Sequence, residues 1–437
     1  MVVKYFLIVI LVLFVIFTIM IWRVIRKQRL ENFNPYIFKK AKSHEHPRTV
    51  EKDKFMGVSI DTRISTLKPP TYKGLPKRAS GVLLASVYGL PLKRVPKVTL
   101  PNYLNWAHSY DSKTGLPEGR EGSSSNSILT LPRDQGGCGS CWAFAITGML
   151  ADRISILTKG EIKKPLSTQW VIDCVCDGDY SKRCCGGALS IVIKELGRVK
   201  VPPEEDYPYS SSRGGSCSCQ PGLKVCSKDF EDYYRFNPNE SLGVITESMG
   251  WNGNWSNIPE IPDDVMSENI RRIKTEIILN GPVVSNIIIY PSLYDYSPMC
   301  VECHSIRGVC ECTDKVKRED KTCLNCVPDF EGQRCVCTLG DGTVAIRELD
   351  SAIYIHGSDE VPEGGHAVEI VGWSDPYTDP EGNKQVGYWV VKNSWGVGYG
   401  LNGYVLFPMG VNECAIETLV LSGTPDMTVP TLKDFSH

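Results

Sequence analysis

Eighteen cysteines lie in this 437-residue chain, and all of them fall between residues 138 and 414. That density means cross-links or metal, and disulfides persist in oxidising compartments. Residues 297–350 hold Cys300, Cys303, Cys310, Cys312, Cys323, Cys326, Cys335 and Cys337. A C-x2-C-x6-C-x-C layout is followed by C-x2-C-x8-C-x-C. One pattern is used twice, so 297–350 reads as an inserted module. Three states of its sulfurs stay open: disulfides, four-cysteine zinc sites, or free thiols. The paired C-x2-C spacings (Cys300 with Cys303, Cys323 with Cys326) suit zinc, whereas C-x-C pairs are unusual for it.

The chain begins differently. Tyr5 to Trp22 is an uncharged run of 18 residues, rich in Leu, Ile, Val and Phe. As a helix it spans ~27 Å, close to a bilayer's hydrocarbon core. Residues 1–22 therefore read as a single-pass membrane anchor through residues 5–22. A cleaved signal is the other reading, although no small-residue cleavage site follows. Arg23, Arg26, Lys27 and Arg29 follow the run and only Lys4 precedes it. Those charges place the body on the cytosolic side. The cysteines favour a lumenal or extracellular body. The two signals disagree, and the sequons at Asn239 and Asn254 matter only if the body is lumenal.

Residues 23–100 carry 18 Lys/Arg against 5 Asp/Glu, in a chain of net charge −2. A basic leader thus precedes an acidic body, which suits either mutual attraction or a solvated linker. Nothing in the overall charge points to nucleic acid. From about Leu100 the texture is globular. Trp142–Leu157 predicts a helix with Phe144, Met149, Ile154, Ile156 and Leu157 on its apolar face. Asp264–Leu279 predicts another, stopped by Asn280-Gly281-Pro282. Short β-type runs follow at 283–290, 367–373, 388–392 and 403–407. Helices first and strands second predict an α+β protein of two lobes.

Three segments carry chemistry. In Gln135-Gly-Gly-Cys138-Gly-Ser-Cys141-Trp-Ala-Phe144, Cys141 stands at the predicted helix start. The partial positive charge there favours a thiolate, the nucleophilic form. The plainer reading is one more disulfide cysteine. The body after residue 100 offers four histidines as a base: His108, His304, His356 and His366. His366 sits at the mouth of an apolar strand, in Gly364-Gly365-His366-Ala-Val-Glu-Ile-Val-Gly-Trp373. In Lys392-Asn393-Ser-Trp395, an amide is available to orient an imidazole and an indole to shield it.

In this order the three segments resemble the papain-like cysteine peptidases, which include the cathepsins. Leu166-Ser-Thr-Gln-Trp-Val-Ile-Asp-Cys174, Cys184-Cys185-Gly186-Gly187, Asn280-Gly-Pro-Val283 and Asn412-Glu-Cys414-Ala-Ile-Glu417 match the family as well, with Cys185 where Asn is usual. The resemblance implies a helical left lobe, a β-barrel-like right lobe and a peptidase domain over 99–425, with 23–98 as a propeptide-like segment. It implies a Cys141–His366–Asn393 triad, with Gln135 in the oxyanion hole. Gly186, Gly187, Trp395 and Leu419 fall on the substrate side, Leu419 as the floor of a pocket for apolar or aromatic side chains. It also implies that Cys138 joins Cys184 or Cys185, that Cys174 joins Cys217 or Cys219, and that the usual partner of Cys414, shortly before the histidine, is missing or comes from the inserted module. With Cys141 set aside, 17 cysteines remain, so at least one has no partner in the chain.

Ala151-Asp152-Arg153-Ile154 resembles the branch of cathepsins B and X. Its loops here, 207–235 and the stretch before Cys138, hold no histidine, which implies an endopeptidase. The implied partners are protein or peptide substrates, for a monomeric peptidase domain that needs no cofactor. The competing function is a membrane-tethered binding protein on an inactive peptidase scaffold.

Overall fold

The computed structural model describes residues 95–108, 110–111, 116–117, 127–175, 183–197, 199–216, 226, 230–241, 260–296, 353–357, 359–378 and 384–435, with the backbone of five strands between 303 and 348. The expected anchor at 5–22 and most of the basic leader lie outside these residues. Among the described residues no helix is long and apolar enough to cross a membrane.

Seven strands form one antiparallel sheet: β1 (Tyr103–Asn105), β2 (Phe236–Ser241), β3 (Val283–Ile289), β4 (Gly364–Ser374), β5 (Tyr388–Lys392), β6 (Tyr404–Pro408) and β7 (Val420–Pro425). Their order is β6–β5–β4–β3–β7–β2, with β1 also on β4. Among the described residues, four helices of seven residues or more accompany them: α1 (Cys141–Leu157), α2 (Thr168–Cys174), α3 (Leu189–Leu196) and α4 (Asp263–Asn280). The helix and strand positions follow the sequence patterns closely. The interleaving does not, because β1 precedes α1 and β2 precedes α4. Both strands are too short or too polar to show a period-2 signal.

β4 organises the sheet because it is long and every one of its eleven residues is buried. Its first half pairs with β3, so that His366 lies opposite Ile287. Its second half pairs with β1, Trp373 opposite Leu104. Its other edge takes β5, Glu369 opposite Lys392. β3 is equally apolar and buried at all seven positions. α4 ends where Gly281 takes φ 93°, a left-handed value open to glycine, one residue before Pro282.

α1 packs against β4 and β7 and is buried on nearly every side, although the sequence pattern suggested one apolar face. Two adjacent charges sit in its buried middle. Asp152 accepts from Lys392 Nζ of β5 at 2.6 Å, and from the Thr130 amide and hydroxyl at 2.7 Å each. Arg153 donates to Glu276 of α4 at 2.9 Å, to the carbonyls of Gly281 and Pro282, and to Gly423 of β7. Glu369 also faces Lys392, at 3.7 Å. Burial pushes its carboxyl strongly up, towards the neutral acid. Lys392, by contrast, stays charged beside Asp152, despite the desolvation that burial costs it.

Two disulfides close the helical side. Cys138 pairs with Cys184, as one of the two expected pairings. Cys174 pairs with Cys226, not with Cys217 or Cys219. Spacing does not fix which cysteine of a cluster returns to the end of α2; the path of the intervening chain does. Cys185 is disulfide-bonded too. Cys414 is a buried free thiol, in line with the odd count.

The insertion forms hairpins. Cys303–Ile306 pairs with Val309–Cys312, and Cys323–Asp329 pairs with Arg334–Leu339, which takes Val344–Glu348 on its other edge. In both halves the second cysteine of the pattern lies opposite the fourth, Cys303 with Cys312 and Cys326 with Cys337. The duplication seen in the sequence is thus a duplication of register. The bonding state of its sulfurs, zinc at Cys300, Cys303, Cys323 and Cys326 included, lies outside the described residues.

Replacing Arg153 by Met strands the buried Glu276 carboxylate and three carbonyls. The expected loss is about 3–5 kcal/mol, the usual cost of removing one partner of a buried pair. Urea unfolding of the two proteins measures it.

Candidate active site

The start of α1 meets the start of β4. Cys141 is the first residue of α1 and is fully buried, as is His366 near the head of β4. Backbone hydrogen bonds reach the Cys141 thiol from Ala367, the residue after His366, and from Trp142. The Cys141 thiol therefore lies against the backbone next to His366, on an element distant in sequence.

Asn393 follows β5, one strand over from β4. Its Oδ1 lies 2.7 Å from His366 Nε2 and also accepts from the Ser394 amide at 2.8 Å. An amide oxygen only accepts, so Nε2 carries the ring proton. Nδ1 is left with a lone pair, free to act as a base. Trp395 covers this pair, with its ring centroid 4.8 Å from that of His366. Trp395 is itself stacked on Tyr294 at 5.2 Å and met edge-on by Tyr399 at 4.8 Å.

Gln135 is held from both ends. Its Oε1 accepts from Ser394 Oγ at 2.7 Å, and its Nε2 donates one hydrogen to Cys138 O at 2.9 Å. Its amide donates to Ser394 O, and its carbonyl accepts from Tyr209 Oη at 2.7 Å. Tyr209 also bonds Ser140, the residue before Cys141. Sequence reasoning missed Ser394 and Tyr209. Ser394 was in view, directly after Asn393. Tyr209 gave no signal, since its partner is 74 residues away.

Gly186 has φ 106°, a conformation that favours glycine. A Cβ on Gly187 would stand 2.5 Å from the Trp142 indole. The indole NH donates to Arg183 O, which fixes the 183–187 turn beside the start of α1. Leu419 is buried just before β7, and its carbonyl accepts from the Asn286 amide of β3. Of the other histidines, His108 is buried against Tyr103 and His356 bonds Glu413. His304 lies outside the described residues.

The electrostatics differ from the sequence expectation of a ready thiolate. Burial pushes the Cys141 thiol up to about 12, and the backbone hydrogen bonds only partly oppose it. Burial also pulls His366 down to about 4, while the Asn393 contact works the other way. The helix start supplies a favourable partial charge, but complete removal from water outweighs it. Each group taken alone is neutral at pH 7. The neutral His366 adds stability above its ordinary value of 6.5, and that contribution is lost as pH falls towards 4.

Comparison with known proteins follows the same lines. The papain family of cysteine proteases matches residues 116–317 and 333–424. A cathepsin B-like cysteine proteinase 5 of Caenorhabditis elegans is 26% identical over 311 residues, covering 68% of this chain and 70% of that one. A cathepsin B-like CP3 of Giardia intestinalis is 25% identical over 377 residues, covering 84% and 93%. Among solved structures, the proCathepsin B S9 from Trypanosoma congolense overlaps with TM-score 0.47 and 18% identity, over 80% of this chain and 87% of that one.

In a His366→Ala protein the Cys141 thiol has only its buried environment. Its thiolate fraction then rises only as pH approaches 12. Iodoacetamide alkylation of Cys141 in that variant is expected to climb only at alkaline pH. The parent should show a reactive plateau near neutrality. Rate against pH for both proteins is the measurement.

Proposed function

The chain belongs to the papain family of cysteine proteases, and from that premise we propose that it is a thiol endopeptidase in which Cys141, His366, Asn393 and Gln135 do the chemistry. The observation that carries this reading is the 2.7 Å contact from His366 Nε2 to Asn393 Oδ1, which leaves Nδ1 unprotonated and available as a base.

The reaction runs as follows. The Cys141 proton passes to His366 Nδ1. Neither charge is stable alone in this buried site, but adjacent opposite charges attract by about 4 kcal/mol at ~4 Å and an effective dielectric of ~20. The thiolate attacks the peptide carbonyl, and its negative charge moves to the carbonyl oxygen. The Cys141 amide and the second Nε2 hydrogen of Gln135 stabilise that oxygen. His366 then gives its proton to the leaving amine, and a thioester remains on Cys141. Water hydrolyses the thioester, with His366 as base, and the thiol is restored. Asn393 keeps the imidazole aligned, and Trp395 excludes water from the Asn–His bond.

Substrate is held in extended form against Gly186 and Gly187, where bare backbone permits β-type pairing. Leu419 gives the neighbouring pocket an apolar floor. The anchor at 5–22 and the basic segment at 23–98 make the enzyme a tethered precursor, released by cleavage near Val98–Leu100. N-terminal sequencing of the active form tests that point, and active enzyme found solely as full-length membrane-bound chain would overturn it.

An epoxide-type thiol inhibitor is expected to label Cys141 after mild acid activation, and Cys141→Ala should lose both labelling and self-processing. Absence of label on the activated parent rejects the peptidase mechanism. Gln135→Ala should lower kcat by about 10²–10³-fold with KM little changed, as for loss of one oxyanion donor.

A further inference from the structure

Cys414, Glu413 and His356 form a cluster that the peptide-cleaving chemistry does not use. Their Sγ, carboxylate oxygen and ring nitrogen all lie within 4.8 Å of one another. Glu413 Oε1 stands 2.6 Å from His356 Nδ1, and it also accepts from the His356 amide at 3.0 Å and from Cys414 Sγ at 3.4 Å. Glu413 and Cys414 are buried, whereas the His356 side chain is 13% exposed. We propose that His356, Glu413 and Cys414 form a binding site for a borderline divalent transition-metal ion of the zinc type.

The donor set argues for this class of ion. Thiolate, imidazole and carboxylate together suit zinc and its neighbours, whereas calcium and magnesium take oxygen ligands. Charge points the same way. A thiolate and a carboxylate on one divalent ion sum to zero, the state that a buried site tolerates best. The balance is simple: the Cys414 proton leaves to solvent as the sulfur–metal bond forms. Three protein ligands leave a fourth position for water. The largest adjustment is a widening of the 2.6 Å imidazole–carboxylate contact, since both atoms must turn to a common centre.

The backbone is arranged to bring these groups together. Side chains of adjacent residues ordinarily diverge. Here Asn412, Cys414 and Ala415 all take left-handed φ, at 55°, 49° and 61°, and Glu413 and Cys414 converge. Such conformations are strained in non-glycine residues and persist where the surroundings enforce them. The His356 ring is fixed by stacking on Tyr290, 4.0 Å between centroids and 13° from parallel. Being the one partly exposed member, it marks the access route. A bound ion would tie residues 353–357, which lead into the strand of His366, to residues 412–418, which lead into β7.

The full-length chain, carrying Cys141→Ala to prevent self-digestion, is loaded with Zn²⁺ or Co²⁺, dialysed, and assayed for bound metal. The parent is expected to retain one equivalent more than either His356→Gln or Cys414→Ser. The difference spectrum of the Co²⁺ forms should show thiolate-to-cobalt charge transfer. Any metal in the Cys-rich insertion is common to all three proteins and cancels. Loss of affinity should exceed the roughly 10- to 100-fold that removal of an outer-shell partner costs. Equal metal content in parent and variants overturns the site. His356→Gln alters the one partly exposed member of the cluster, and circular dichroism of the metal-free proteins checks that it folds. Independently, anomalous diffraction at the zinc edge should place a peak ~2.3 Å from Cys414 Sγ. A soaked crystal with no peak there also overturns it.

Discussion

Asp152 and Arg153, side by side in the buried middle of α1, hold the active-site half of the molecule in register. Asp152 reaches β5 through Lys392, and Arg153 reaches α4 and β7 through Glu276 and the carbonyls of Gly281, Pro282 and Gly423. Adjacent helix residues point about 100° apart, so the two charges grip different neighbours. Cys141 is eleven residues back along the same rigid helix. Lys392 is directly bonded to Asn393. One clamp therefore sets the helix that starts at Cys141 and the strand that ends before Asn393 against each other. Apolar packing alone lets a helix slide or roll; hydrogen-bonded charges with fixed partners do not. Such pairs contribute little net stability but are costly to break.

The same dryness that makes the clamp strict shapes the chemistry. Burial keeps the isolated Cys141 thiol and the isolated His366 imidazole neutral. Burial disfavours a lone charge on either group, so charges of opposite sign are tolerated there only together. That separates this site from a surface thiol activated by a helix start alone. Gln135 contributes in the same spirit. Both of its amide ends are held, by Ser394 and Cys138, so its side chain is fixed in place, as the proposed oxyanion role requires.

Much of this was legible in the sequence. The period of α4 and its Gly281-Pro282 stop gave its limits to within one residue. The apolar runs gave β3, β4, β5 and β6, and Cys141, His366, Asn393 and Gln135 stood in recognisable surroundings. What stayed hidden depends on the path of the chain. Cys174 finds Cys226, and Tyr209 finds Gln135, because loops return them there. The thiol's raised value depends on complete burial, which a helix-start residue does not advertise. The role of Asp152 and Arg153 was hidden because charged residues in a helix usually mark its wet face.

Among the described residues, the disulfides lie on the helical side. On the helical side, Cys138–Cys184 ties the nucleophile's approach turn to the 183–187 turn, and Cys174–Cys226 closes the end of α2. Covalent bonds there hold short helices whose own propensity is weak. On the sheet side, β3 and β4 are paired along seven positions, and their backbone ladders need no such help. The weak point is the irregular chain at the sheet's ends, at 353–357 and 412–418. Those two segments meet through His356 and Glu413, with Cys414 unpaired beside them. A buried thiol next to a buried carboxylate gains little from a weak S–H hydrogen bond. The cluster gains most when a cation replaces the thiol proton, and then the sheet side too has a cross-link where its backbone ladder ends.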